Sequence, residues 1–218
     1  MNIALIGGSG FVGSAVLAEL ARRGHRVIAL ARDTTRYGTM PGVTAVPADA
    51  TDAAQVAHAV EGADAVISAY NAGWKSPELY ERFVAGTRAI IDGTRRAGVK
   101  RLLLVGGAGS LFVAPGVQLA DTPGFKAQVP AAMMPGVEGA REALKMIREE
   151  RDLEWTFLSP PARLGAEGAR TGTFRTGGDE LLMDGTEPAG IAVADLAVAI
   201  VDEIERPAHV RQRFTVAY

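Results

Sequence analysis

Apolar residues in this chain fall into short unbroken runs, separated by longer stretches in which they recur every three or four positions. Asn2 to Ile6, Arg26 to Ala31, Val43 to Pro47, Asp64 to Ala69, Lys100 to Val105 and Glu154 to Ser159 each read as a buried strand. The stretches between them read as helices. The first runs from about Gly10 to Arg23, with Phe11, Ala15, Leu17, Leu20 and Ala21 on one face and Gly24 as the stop. Thr51 or Asp52, after a turn at Asp49 to Asp52, can cap a helix through Val60. Ser76-Pro77-Glu78 opens a helix that ends at Gly98. Gly136 to Arg151 and Ala194 to Glu205 complete the set, and Arg213 to Val216 is a closing strand. Continuous apolar strands alternating with helices predict an α/β fold: a doubly wound parallel sheet with helices on both faces. The whole chain, residues 1–218, reads as a single domain with a small C-terminal substrate-side region.

Two stretches break the alternation. Leu111 to Pro135 carries three prolines before Pro135 itself (Pro115, Pro123, Pro130). It is long for a connection in a compact domain, and such loops usually serve function. Residues 164–188 are rich in glycine and charge. Within them, Gly172 to Thr176 and Glu180 to Met183 flank Gly177-Gly178-Asp179 and predict a hairpin.

The first strand runs directly into Gly7-Gly8-Ser9-Gly10-Phe11-Val12-Gly13. Glycines at 7, 10 and 13 suit a dinucleotide site. The first makes the turn, the second admits a pyrophosphate to the backbone, and the third lets helix and strand pack closely. The helix N-terminus then offers free N–H groups and a positive dipole end to the anion.

Composition narrows the remaining classes. The chain has 218 residues, 48% hydrophobic and 22% charged, with a net charge of −2. This balance gives no sign of a nucleic-acid or acidic-membrane partner. The absence of cysteine excludes thiolate metal ligands and a cysteine nucleophile. His25, His58 and His209 lack metal-ligand spacing, so no metal is expected. No apolar stretch approaches the roughly 20 residues of a membrane span. The apolar start merges with the glycine motif and is not read as a signal peptide. A cytoplasmic location is the expectation.

The segments ALIGGSGFVGSAV, ISAYN, LLLVGGAGSL and WTFLSPPARL resemble the atypical short-chain dehydrogenase/reductase group. The chain is most similar there to proteins described as NADH-flavin reductases or NAD(P)H-binding oxidoreductases. These in turn are similar to biliverdin-IXβ/flavin reductase and to NmrA-like regulators. The resemblance covers essentially the whole chain. It implies a Rossmann fold and a nicotinamide dinucleotide cofactor, NADP(H) or NAD(H). It implies that Gly7, Ser9, Gly10, Phe11, Val12 and Gly13 hold the pyrophosphate. Asp49 and Ala50 would lie beside the adenine, although Asp49 also suits plain turn chemistry. Ser68, Ala69 and Tyr70 would line the cofactor, and Pro160 and Pro161 would border the nicotinamide or simply form a rigid corner.

At the end of the second strand, a carboxylate would bind the ribose 2′-OH and a cation a 2′-phosphate. The expected position is Ala31, followed by Arg32, whose planar guanidinium suits a phosphate. Asp33 is adjacent and could pair with Arg32 or meet the ribose, and Arg36 is a second cation. NADPH is therefore expected over NADH.

Short-chain dehydrogenases acting on alcohols use a Tyr-x-x-x-Lys pair on the helix after strand five. The lysine lowers the tyrosine pKa so that the phenol can move a proton. Here that helix carries Glu138, Arg141, Glu142 and Lys145 but no tyrosine; the four tyrosines are Tyr37, Tyr70, Tyr80 and Tyr218. A ketone needs a proton donor, whereas a flavin, quinone or tetrapyrrole can draw its proton from solvent. The sequence therefore predicts an NAD(P)H-dependent reductase of a small planar acceptor, acting by direct hydride transfer, as a monomer or homodimer. A non-catalytic NADP(H)-binding redox sensor of the NmrA-like type is the alternative. Ser110 is the candidate catalytic residue, as a hydrogen-bond donor to the acceptor; it could equally cap its loop. Phe112, Phe125, Met133, Met134 and Leu164 could face a planar acceptor or fasten the loops to the core.

Overall fold

The computed structural model describes residues 1–165 and 168–218. Ala166 and Glu167, inside the glycine- and charge-rich stretch, lie outside the described residues. The chain forms β1 (Asn2–Ile6), α1 (Phe11–Arg22), β2 (Arg26–Ala31), β3 (Val43–Pro47), α2 (Ala53–Val60), β4 (Ala65–Ser68), α3 (Leu79–Arg96) and β5 (Arg101–Val105). There follow β6 (Phe112–Ala114), β7 (Val117–Gln118), α4 (Pro123–Gln128), α5 (Met134–Glu149), β8 (Glu154–Ser159) and β9 (Arg163–Gly165). The chain closes with β10 (Arg175–Gly177), β11 (Met183–Asp184), β12 (Glu187–Pro188), β13 (Gly190–Ala192), α6 (Val193–Glu205) and β14 (Gln212–Ala217).

The main sheet has eight strands in the order β10-β14-β8-β5-β4-β1-β2-β3. All its pairings are parallel except β10 with β14. Strand order reverses between β1 and β4, which is where a doubly wound sheet opens a crevice. Side-chain alternation divides the core in two. Ile3 and Leu5 of β1 face α1 and α6, in a cluster with Val16, Leu20, Leu196, Ile200 and Phe214. Ala4 and Ile6 face α2, α3 and α5, with Val56, Ile90, Leu144 and Phe157. Strands buried on both faces explain why their sequences are unbroken apolar runs rather than alternating ones.

The sequence reading and the fold differ in three places. The helix expected from Ser76 starts at Leu79, because Ser76 Oγ accepts from the Glu78 amide and holds a turn there. Leu111 to Pro135 contains the β6–β7 hairpin and α4, whose N-cap Thr122 accepts from the Phe125 amide at 3.3 Å. The hairpin expected around Gly177-Gly178-Asp179 does not form. β10 pairs instead with β14, Glu180 bridges to Phe112, and the hairpin in this region is β11–β12. β10 adds to the open edge of β14 through three residue pairs.

Polar anchors fasten the helical layers. Glu19 of α1 is buried, accepting from Arg22 Nε at 2.9 Å, Arg23 Nε at 2.7 Å and Arg170 Nε at 2.8 Å. Arg23 reaches on to Asp202 at 2.7 Å and Glu205 at 2.6 Å, which ties α1 to α6. Behind the sheet, Arg101 Nη2 donates to buried Glu203 at 2.8 Å, and Thr156 and His209 complete that network.

Hydrogen bonds from Arg22, and then from Arg170 and Arg23, hold the Glu19 carboxyl well below the usual carboxylate range, against burial that pushes the other way. A depressed carboxylate contributes stability above its unfolded pKa of about 4.3 and loses it as pH falls through the folded value. Glu19→Gln should cost about 3 kcal/mol at pH 7, since it leaves three arginines facing an amide. In thermal melts, the gap from wild type should hold down to about pH 5 and narrow below about pH 4. A gap that widens on acidification would show that the carboxylate charge is not what stabilises the layer.

Candidate functional site

The site grows from the turn after β1. Gly7 adopts φ +81°, and a Cβ there would sit 2.5 Å from the Ala69 carbonyl oxygen. A Cβ on Gly13 would sit 2.0 Å from the Gly7 carbonyl oxygen, so only glycine lets the first turn of α1 reach the strand end. The Gly10 amide closes the turn onto Gly7 O at 2.9 Å. Gly10 is also the N-cap of α1, with no side-chain cap and no acidic residue in the first turn. The amides of Phe11, Val12 and Gly13 therefore have no intrahelical acceptor. An uncapped helix start behind a cradle that a Cβ would fill fits a pyrophosphate.

A cleft of about 710 Å³ extends from this turn across the C-terminal ends of β1, β2 and β4. Gly7, Ser9, Gly10 and Phe11 line it on one side. Arg32, Asp49 and Ala50 line it beyond β2 and β3, and Ala69 and Tyr70 beyond β4. Val12 is half-buried against the α1–α6 core, so its amide is what it offers the cleft. Ser68 is buried, and its Oγ accepts from the Tyr70 amide at 3.3 Å, fixing the β4 turn. Pro160 and Pro161 are buried after β8 and lie outside the residues lining the cleft.

Both acidic residues near the adenosine end are engaged in their own turns. Asp33 Oδ1 accepts from the Thr35 amide at 3.1 Å and its hydroxyl at 2.5 Å. Asp49 Oδ1 accepts from the Thr51 amide at 2.9 Å and its hydroxyl at 2.8 Å. The Thr51 amide bond leads the causes that hold the Asp49 carboxyl below its ordinary value, and the nearby Arg32 and Arg82 charges add to it. Arg32, Arg36 and Arg82 all line the cleft, and among the described residues none has a carboxylate within ion-pair distance. Arg82 was not foreseen. It sits in the first turn of α3, with its buried Nε lacking a partner among the described residues. No spacing rule relates that turn to the strand ends.

Tyr70 lies over Gly86, where a Cβ would meet its ring at 2.3 Å, and its hydroxyl donates to the Arg82 carbonyl at 3.1 Å. Burial pushes this phenol up, so it is a weaker acid than a free tyrosine. On α5, Arg141 pairs with Asp121 and Glu138, and Lys145 is 69% exposed beside Glu142. That helix face is solvated. Ser110 is 3% exposed and lies outside the residues lining the cleft; its Oγ accepts from Arg213 Nη1 at 3.2 Å. The placement has Ser110 holding its loop rather than reaching a ligand. Phe125 packs on Leu111, Leu119 and Leu181, and Leu164 packs on the main core, so both fasten loops. The exposed aromatics at the cleft are instead Phe11, 52% exposed, and Trp74, 48% exposed. Among the described residues, no helix is long and apolar enough to cross a membrane.

Residues 7–207 match the model of a family described as NAD(P)H-binding. The chain is 36% identical over 218 residues to the uncharacterized protein YwnB of Bacillus subtilis, covering 99% of this chain and 98% of YwnB. A solved structure from Bacteroides thetaiotaomicron, provisionally described as an epimerase, superposes with TM-score 0.90 and 40% identity over 100% of this chain and 96% of its own. One from Streptococcus pneumoniae, provisionally described as an NADH-flavin reductase, superposes with TM-score 0.84 and 27% identity over 100% and 99%. With its glycine cradle, uncapped helix and cleft at the strand reversal, the chain belongs to the NAD(P)H-binding family, a Rossmann-fold oxidoreductase family whose cofactor is NAD(P)H.

Proposed function

We propose that the chain is an NADPH-preferring reductase of a small planar acceptor, a flavin or quinone. The observation that carries this reading is a nucleotide cleft flanked by exposed aromatics but with no tyrosine on α5. The relative described as an NADH-flavin reductase supports the same acceptor class.

When bound, the dihydronicotinamide supplies a hydride. The chain's own residues do the rest. The amides of Phe11, Val12 and Gly13 bind the pyrophosphate, and the helix dipole favours its charge. Arg32 takes the adenosine 2′-phosphate, free of Asp33 because that carboxylate caps the next turn. Arg36 lines the same end of the cleft. Ala69 and Tyr70 shape the wall beyond β4, with Ser68 fixing their turn; Asp49 and Ala50 bound the adenine. Phe11 and Trp74 give faces on which an aromatic acceptor can stack and be oriented. Pro160 and Pro161 stiffen the corner after β8. Tyr70 is committed to a carbonyl, so the acceptor's proton comes from solvent. Such an enzyme works in the cytoplasm as a monomer or homodimer.

Two measurements test this. Arg32→Ala should raise the KM for NADPH about tenfold, the worth of one charge-assisted hydrogen bond, while changing that for NADH less than about twofold. An equal effect on both would remove Arg32 from the 2′-phosphate site. Steady-state oxidation of NADPH should proceed with FMN or menadione, and Tyr70→Phe should retain turnover within about threefold. A loss of about a hundredfold or more would make Tyr70 a general acid. Tight NADP(H) binding with no turnover on any planar acceptor would favour the redox-sensor reading instead.

A further inference from the structure

A second cavity, of about 440 Å³, lies at the N-terminal ends of β8 and β14 and shares no lining residue with the nucleotide cleft. Four guanidinium groups line it, from Arg148, Arg151, Arg211 and Arg213, against the two carboxylates of Glu150 and Asp179. Those carboxylates are already in use. Asp179 is shared between Arg148 at 2.9 Å and Arg213 Nε at 2.5 Å. Glu150 accepts from the Asp152 amide and lies 3.7 Å from Arg95, outside the cavity. Arg211 spends its guanidinium on neutral acceptors, the carbonyls of Arg151 at 2.7 Å and Leu153 at 3.3 Å. Arg151 is exposed and has no carboxylate within ion-pair distance among the described residues. Positive charge is therefore left over inside a concave site.

A second, independent observation concerns Trp155. It lines the cavity, is 4% exposed, and its indole Nε1 is buried without a hydrogen-bond partner among the described residues. Buried donors are nearly always satisfied, so an orphan indole N–H needs an acceptor. The backbone beside it is also unusual. Arg211 has φ 57°, the one non-glycine positive φ among the described residues, and its amide donates to Trp155 O at 2.6 Å. Strain of this kind is held where the surroundings fix a particular arrangement.

We propose that this cavity is a second anion site, distinct from the cofactor cleft, that takes a phosphoryl group. Arg148 and Arg151 supply exposed charge-assisted donors at the rim. Arg213, fixed by Asp179 and by the Ser110 carbonyl at 3.0 Å, supplies a rigid positive floor. Trp155 lines the same cavity, so an anion held there lies beside it and perturbs its indole N–H. Ligation here would touch the end of α5 and, through Arg213, the segment that carries Ser110. The proposal does not depend on which acceptor the enzyme reduces.

The two tryptophans make the test direct. In ¹⁵N-labelled protein held at saturating NADP⁺, so that phosphate cannot enter the glycine cradle, the indole N–H resonances of Trp74 and Trp155 are assigned with Trp74→Phe. Inorganic phosphate should shift the Trp155 signal saturably. The double variant Arg148→Ala/Arg151→Ala should weaken that response about tenfold or more while leaving NADP⁺ affinity unchanged. A ribose 5-phosphate arm identifies the source: tighter binding than phosphate indicates a phosphorylated metabolite, and equal binding indicates the free ion. A Trp155 signal that does not move overturns the site. So does one that moves equally with chloride at matched ionic strength, or one unaffected by the double variant.

Discussion

The fold and the cofactor site depend on one close approach, the first turn of α1 against the end of β1. Gly13 leaves no room for a Cβ beside the Gly7 carbonyl, and Gly7 leaves none beside Ala69. This contact sets the helix against the strand and aims its free amides at the crevice. It also places β1 beside β4, where strand order reverses. Packing and phosphate binding are thus the same geometric requirement, met by residues with no side chain to contribute.

The outer layers rest on that contact with increasing polar support. α1 reaches α6 through Glu19 and Arg23, and α6 reaches the sheet through Glu203 and Arg101. A chain of net charge −2 thereby buries the Arg101–Glu203 pair and the Glu19 carboxylate, whose oxygens accept from Arg22, Arg23 and Arg170. Among the described residues, arginines without a carboxylate within ion-pair distance line both the cleft (Arg32, Arg36, Arg82) and the cavity beside Trp155 (Arg151, Arg211).

Much of this was legible in the sequence. Strands buried on both faces advertise themselves as apolar runs, so the seven parallel strands of the main sheet lie within two residues of their expected bounds. The glycine spacing encodes a local turn, which is why Gly7, Gly10 and Gly13 could be placed in advance. Long-range partners could not. Nothing in the local pattern shows that Arg175 to Gly177 pairs with β14 rather than with its neighbours, because edge pairing is decided by what remains open. Ser110 looked like a ligand-facing hydroxyl at a strand end, and only the fold brings Arg213, more than a hundred residues later, against it. Arg82 and Trp74 reach the cleft from a helix and a loop whose position depends on how α3 packs.

The central claim is that one glycine contact serves both stability and nucleotide binding, and Gly13→Ala tests it most directly. Chemical denaturation and NADP⁺ titration should show the variant destabilised by about 3 kcal/mol and its affinity reduced more than about tenfold, since the new methyl must push α1 off the strand end. Gly10→Ala, whose Cβ would lie 3.2 Å from the same oxygen, should be milder in both. A Gly13→Ala protein with wild-type stability and wild-type NADP⁺ affinity would contradict the account.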